Sequence, residues 1–109
     1  MSLPEERAAR NEALFREVNE QMRKLSRSQP FTQEDELVII CECSDDGCTE
    51  RLSLPLARYE AVRANPRDFI VAPGHDNDFE HVVESFDAYS IVEKEGKAGR
   101  IAEQTNPRA

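Results

Sequence analysis

Three cysteines fall within eight residues, as Cys41-x-Cys43-x4-Cys48, and the chain has no others. An odd, crowded set does not make a disulfide framework, so these sulfurs read as metal ligands or redox thiols. Two residues apart on a strand, Cys41 and Cys43 point to one face with Cα atoms about 6.6 Å apart. Sulfurs on one tetrahedral zinc sit roughly 3.8 Å apart, so the strand end has to bend and both side chains lean together. Ser44-Asp45-Asp46-Gly47 is turn chemistry that lets the chain do so and brings Cys48 back opposite Cys43.

A fourth donor would complete a Cys3His zinc site. His75 is the favoured candidate, because Pro73-Gly74 makes a tight turn that can present an imidazole. His81 and a carboxylate or water are the alternatives. Glu42, Asp45, Asp46 and Glu50 surround the cysteines, and nearby carboxylates disfavour bare thiolates, which argues for a bound dication over a reactive thiol. The expected cofactor is therefore Zn2+, held by Cys41, Cys43, Cys48 and His75.

The rest of the chain reads as one small α+β domain. Residues 4–27 form a long N-terminal helix, with Glu5 and Glu6 at its positive end and Arg23, Lys24 and Arg27 at its negative end. Leu14, Val18, Met22 and Leu25 recur at helical spacing beside Phe15, a narrow apolar stripe expected to pack on a sheet or on a second copy. After a linker over 26–33, residues 37–54 form a β-hairpin with the cysteines at its tip, and residues 55–64 a second short helix with Leu56, Tyr59 and Val62 inward. A short strand at 69–71 and a terminal hairpin of 81–86 and 89–94 complete a small, mostly antiparallel sheet. The domain division is 1–28 for the amphipathic helix, 29–94 for the zinc-binding body and 95–109 for a flexible tail.

Composition excludes several classes. With 39% hydrophobic residues and no Trp the core is thin, so a metal can contribute a large share of the stability. Residues 1–28 hold six bases and five acids, which leaves eight bases and 17 acids for the remainder. That acidic body repels phosphate and argues against nucleic acid. No apolar run, Leu37 to Ile40 among them, approaches the roughly 18 residues of a membrane span. The polar, acidic N-terminus lacks a signal-peptide pattern, so the expected location is the cytoplasm.

Residues 11–20, Cys41-Glu42-Cys43, Cys48-Thr49-Glu50-Arg51, Tyr59-Glu60-Ala61-Val62-Arg63 and Val71-Ala72-Pro73-Gly74-His75 together carry a resemblance. The chain resembles a family of short, uncharacterised actinobacterial-type proteins with Cys-x-Cys-x4-Cys and Pro-Gly-His elements. The resemblance implies a site role for His75 and carries no catalytic role over to this chain.

Three functions compete. The first is a non-catalytic protein-interaction module whose hairpin tip is fixed by zinc, with an unknown protein partner or a homodimer through the N-terminal helix. The second is a thiol-based redox or zinc-release sensor in which Cys43 and Cys48 pair. The third, a hydrolytic zinc enzyme with Asp76, Asp78 or Glu80 as base, ranks last because three thiolates weaken zinc as a Lewis acid.

Overall fold

Two antiparallel strands, β1 (Glu36–Ile40) and β2 (Arg51–Pro55), open the body, with Glu36 opposite Pro55 and Ile40 opposite Arg51. Alternation turns Leu37, Ile39, Leu52 and Leu54 inward and leaves Val38 and Ser53 outward. The computed structural model describes residues 4–26, 34–45 and 47–108; the side chain of Ser26, the expected linker over 27–33, Arg27 and Asp46 lie outside them. Pro55 sits just before α2 (Leu56–Arg63), which ends ahead of Asn65-Pro66. Its buried residues are Leu56, Tyr59 and Val62, as the spacing predicts, together with Arg63.

The chain then forms β3 (Asp68–Val71), β4 (Glu80–Ser85) and β5 (Ser90–Lys94). These make a second antiparallel sheet in the order β3-β5-β4. The fold is α+β as expected, with the strands divided between two sheets. A shared core of Ile39, Leu54, Tyr59, Phe69, Ile70 and Val92 joins them.

The flexible tail is corrected. Residues 96–104 form a helix, α3 (Gly96–Gln104), that buries Ala98, Gly99, Ile101 and Ala102. Two glycines lower its helix propensity and Ile101 is its one large apolar residue, which hid it even though Ala98, Ile101 and Ala102 stand at helical spacing. Those small residues are what its docking requires. A Cβ on Gly99 would lie 2.4 Å from Arg67 Nη1 and 3.1 Å from the Lys94 carbonyl oxygen. Ala98 and Ile101 pack on Ala9 and Phe79, and Ala98 N donates to Glu5 at 3.2 Å, so a carboxylate from the first helix caps the start of α3.

That first helix, α1 (Pro4–Ser26), departs from one of its two expectations, packing on the sheet, because its apolar stripe faces outward. Leu14, Val18 and Leu25 are 65%, 45% and 76% exposed, whereas Glu12, Arg16, Asn19 and Glu20 are buried. The inward positions Ala9, Glu12, Arg16, Asn19 and Arg23 repeat at intervals of three and four, as a packed seam does. At 3.6 residues per turn the two stripes lie about 160° apart. Polar partners waiting in the body decide the orientation. Arg16 donates to the carbonyls of Pro66 and Ala102 at 2.7 and 2.9 Å and lies 4.6 Å from the centre of the Phe69 ring. Glu20 accepts from Tyr59 at 2.7 Å and pairs with Arg108, and Arg23 meets Glu60 at 2.9 Å.

Glu12 and Glu80 both converge on the buried ammonium of Lys94. Glu80, named above as a candidate base, opens β4 and is buried in this cluster. Burial, reinforced by Glu80 and opposed by Lys94, pushes the Glu12 carboxyl up from 4.5 to about 8. Between those two values the folded chain holds a proton that the unfolded chain releases, so stability falls as pH rises through the window. We expect the Tm of wild type to drop relative to Glu12→Gln as pH is raised from about 5 to 8. Parallel pH profiles of the two chains would contradict this assignment.

Candidate metal centre

Residues 41–43 leave the first sheet and bridge to the second. Cys41 N donates to Glu50 O at 2.9 Å, while Glu42 N donates to Ile70 O at 2.8 Å, so consecutive amides reach toward opposite neighbours. In this extended segment Cys41 and Cys43 share one face and Glu42 points to the other. All three are buried. Ala72 N donates to Cys41 Sγ at 3.1 Å, an amide aimed at sulfur of the kind that supports a thiolate ligand.

Two turns deliver the other donors. Gly47 N donates to the Asp45 side chain at 2.9 Å and Cys48 N to Asp45 O at 3.0 Å, which folds the chain back after Cys43. Beyond β3, His75 N donates to Ala72 O at 3.0 Å around Pro73-Gly74, and Gly74 has φ +82°. Proline second and a positive-φ glycine third are the requirements of a type II turn. The expected tight turn at Pro-Gly-His therefore sets His75 beside the hairpin tip.

The four donors of Cys41, Cys43, Cys48 and His75 lie within 4.8 Å of one another. His75 Nδ1 is 3.6 Å from Cys41 Sγ and 3.7 Å from Cys48 Sγ. Bond lengths near 2.3 Å for sulfur and 2.0–2.1 Å for nitrogen place S and N roughly 3.5 Å apart on a tetrahedral zinc. The residues fit such an ion with Nδ1 as the ligating nitrogen. The other ring nitrogen, Nε2, faces the Glu50 carboxylate at 3.7 Å, the side from which a carboxylate orients a ligating imidazole. His81 is not part of the group. It stands on β4 between Glu93 and Glu95, at 3.6 and 3.2 Å.

Burial is the leading reason that the thiols of Cys41 and Cys43 resist ionisation, and both are raised above the usual cysteine range. The attribution to surrounding acids needs revision for Glu42. Its carboxylate accepts from Asn19 Nδ2 at 2.7 Å, from Ile70 N at 3.0 Å and from both Arg63 Nη atoms, so it faces away from the sulfurs. A divalent ion would reverse the cost of ionising buried thiols. Cys48 and His75 are only partly buried, and a cavity of about 220 Å³ lined by Cys43, Ser44, Asp45 and His75 opens beside them.

Sequence reasoning missed Glu42 and Ala72 as supports of the site. Strand alternation held the signal for Glu42, since a residue between two ligands must point away from them. Among the described residues no helix is long and apolar enough to cross a membrane. Comparison of the chain with protein-family models, curated proteins and solved structures gives no match.

Proposed function

We propose that this chain is a non-catalytic protein-interaction module of the cytoplasm whose hairpin tip is held by a structural zinc ion on Cys41, Cys43, Cys48 and His75. The observation that carries the metal reading is the convergence of three sulfurs and one imidazole within 4.8 Å, with two sulfur–nitrogen spacings close to those of tetrahedral zinc. Four protein donors close the coordination shell and leave no position for a reactive water. Of the three candidate bases for hydrolysis, Glu80 is engaged with Lys94, away from the cysteines. The outward stripe of α1 supplies an apolar surface for a partner. Membership in the actinobacterial-type family rests on the Cys-x-Cys and Pro-Gly-His elements and fits a site built from both.

X-ray absorption at the zinc edge of purified protein tests the centre. Three sulfurs at about 2.3 Å and one nitrogen at about 2.0–2.1 Å are expected. A shell containing water or carboxylate oxygen would overturn the closed structural site.

The redox alternative draws on one observation, the part-exposed Cys48 beside an open cavity that Cys43 lines. Against it stands the resistance of Cys41 and Cys43 to ionisation, because the thiolate is the species that oxidises. Stoichiometric peroxide separates the two: release of zinc with a Cys43–Cys48 bond favours the sensor, and retention of metal favours the structural centre.

A further inference from the structure

We infer that the outward face of α1 pairs with the same face of a second copy, the two helices running antiparallel in a register that matches Leu14 with Leu25. This names the partner for the interaction surface proposed above and does not depend on the metal. Leu14, Val18, Gln21 and Leu25 are spaced four, three and four residues apart, the interval of a two-helix seam. They occupy the face opposite the one buried in the body, and Leu14, Val18 and Leu25 are all substantially exposed.

The register follows from the side chains beside the seam. In an antiparallel pair the two seam positions of each layer have residue numbers with a constant sum, so setting Leu14 against Leu25 also sets Val18 against Gln21. Flanking positions on one side then meet as Glu17 with Lys24, and on the other as Phe15 with Met22. Two-fold symmetry makes each of these contacts twice. One flank is thus charge-complementary and the other apolar. Glu17 and Lys24 are exposed, and Glu17 accepts a surface bond from Gln21 at 2.9 Å. Parallel pairing loses this match, because Glu17 and Lys24 would then face the apolar flank of the partner. A shallow cavity of about 170 Å³ between Met22 and Val38 extends the patch on the Phe15 side, with Val38 53% exposed.

Charge points to this face as well. Residues 4–26 hold five bases and five acids, whereas the whole chain has a net charge of −8. Two copies repel least when they meet through the neutral helix.

Sedimentation of the zinc-loaded full chain over a concentration series reads the outcome, with zinc content and circular dichroism confirming that each variant keeps its fold. Wild type should dimerise, and Leu14→Glu should be monomeric. Glu17→Lys or Lys24→Glu alone should weaken dimerisation roughly fivefold to thirtyfold, since each converts two attractive pairs into two repulsive ones. The combined swap should return the affinity toward wild type. A zinc-loaded wild type that stays monomeric overturns the inference while leaving the metal centre intact. So does a combined swap no tighter than the weaker single variant, or a partner of different sequence seated on α1 in place of the second copy.

Discussion

Chelation of the zinc-loaded protein is expected to unfold the body cooperatively, with a large loss of far-ultraviolet dichroism at 25 °C. The centre would add a cross-link among three segments that are otherwise tied by hydrogen bonds such as Cys41 N to Glu50 O, Glu42 N to Ile70 O and Ala72 N to Cys41 Sγ. Residues 41–45 and 47–50 contain no helix or strand, and residues 72–75 are held to the body by a turn. A metal on Cys41, Cys43, Cys48 and His75 would cross-link both ends of the hairpin tip to the loop after β3, uniting the two sheets. Structural zinc in small domains contributes on the order of 10–16 kcal/mol of apparent binding energy, against a total stability of about 5–15 kcal/mol for a domain. Removing it from a core this size therefore exceeds what remains. His75→Ala should lose metal and fold together, whereas His81→Ala should retain both. An unchanged Tm after chelation, or less than about half an equivalent of zinc in purified protein, would sink the reading.

The parts legible in the sequence are those where a local rule and the tertiary environment agree. β1 and β2 alternate cleanly because one face of each is buried, and the hairpin tip announces itself through Cys-x-Cys and an aspartate-glycine turn. Pro73-Gly74-His75 could be read directly, since a type II turn has few sequence solutions. The orientation of α1 could not. Pattern rules assume that the apolar stripe turns inward, and here the inward seam is Glu12, Arg16, Asn19 and Arg23, each matched to a polar group far away in sequence. Lys94 at the end of β5, Arg63 at the end of α2 and Glu42 between two ligands look like surface residues when taken alone. Only the fold brings them together. α3 was hidden for a different reason: its buried face of Ala98, Gly99, Ile101 and Ala102 has helical spacing, but two glycines and a single large apolar residue make it look like a polar tail.

Replacing Arg63 by methionine should destabilise the zinc-loaded chain by about 3–5 kcal/mol, the usual penalty for leaving a buried charge unpaired. The Arg63 and Glu42 side chains are 2% and 0% exposed, with an Nη2–Oε1 distance of 2.7 Å. Burial alone would make the guanidinium easier to deprotonate, yet the Glu42 carboxylate more than offsets it and holds Arg63 above its ordinary value. In Arg63→Met the carboxylate keeps Asn19 Nδ2 and Ile70 N as donors and loses both guanidinium bonds. The double variant Glu42→Leu/Arg63→Met should cost less than the sum of its single changes, because neither charge is then stranded. It still orphans the Ile70 amide and leaves Asn19 Nδ2 with the Ile40 carbonyl alone, so recovery is incomplete. Arg58→Met supplies the contrast: its partner Glu84 is 51% exposed, and the change should move stability by no more than about 1 kcal/mol. Glu42 lies between two sulfur donors, so Arg63→Met should also weaken zinc by roughly 10- to 100-fold, as loss of a supporting contact does at metal centres. Urea unfolding and competitive zinc titration read the two effects separately. A loss below about 1 kcal/mol for Arg63→Met would show that the pair does not hold the bridge between the sheets. Lost stability with unchanged zinc affinity would show instead that the four donors are positioned without it.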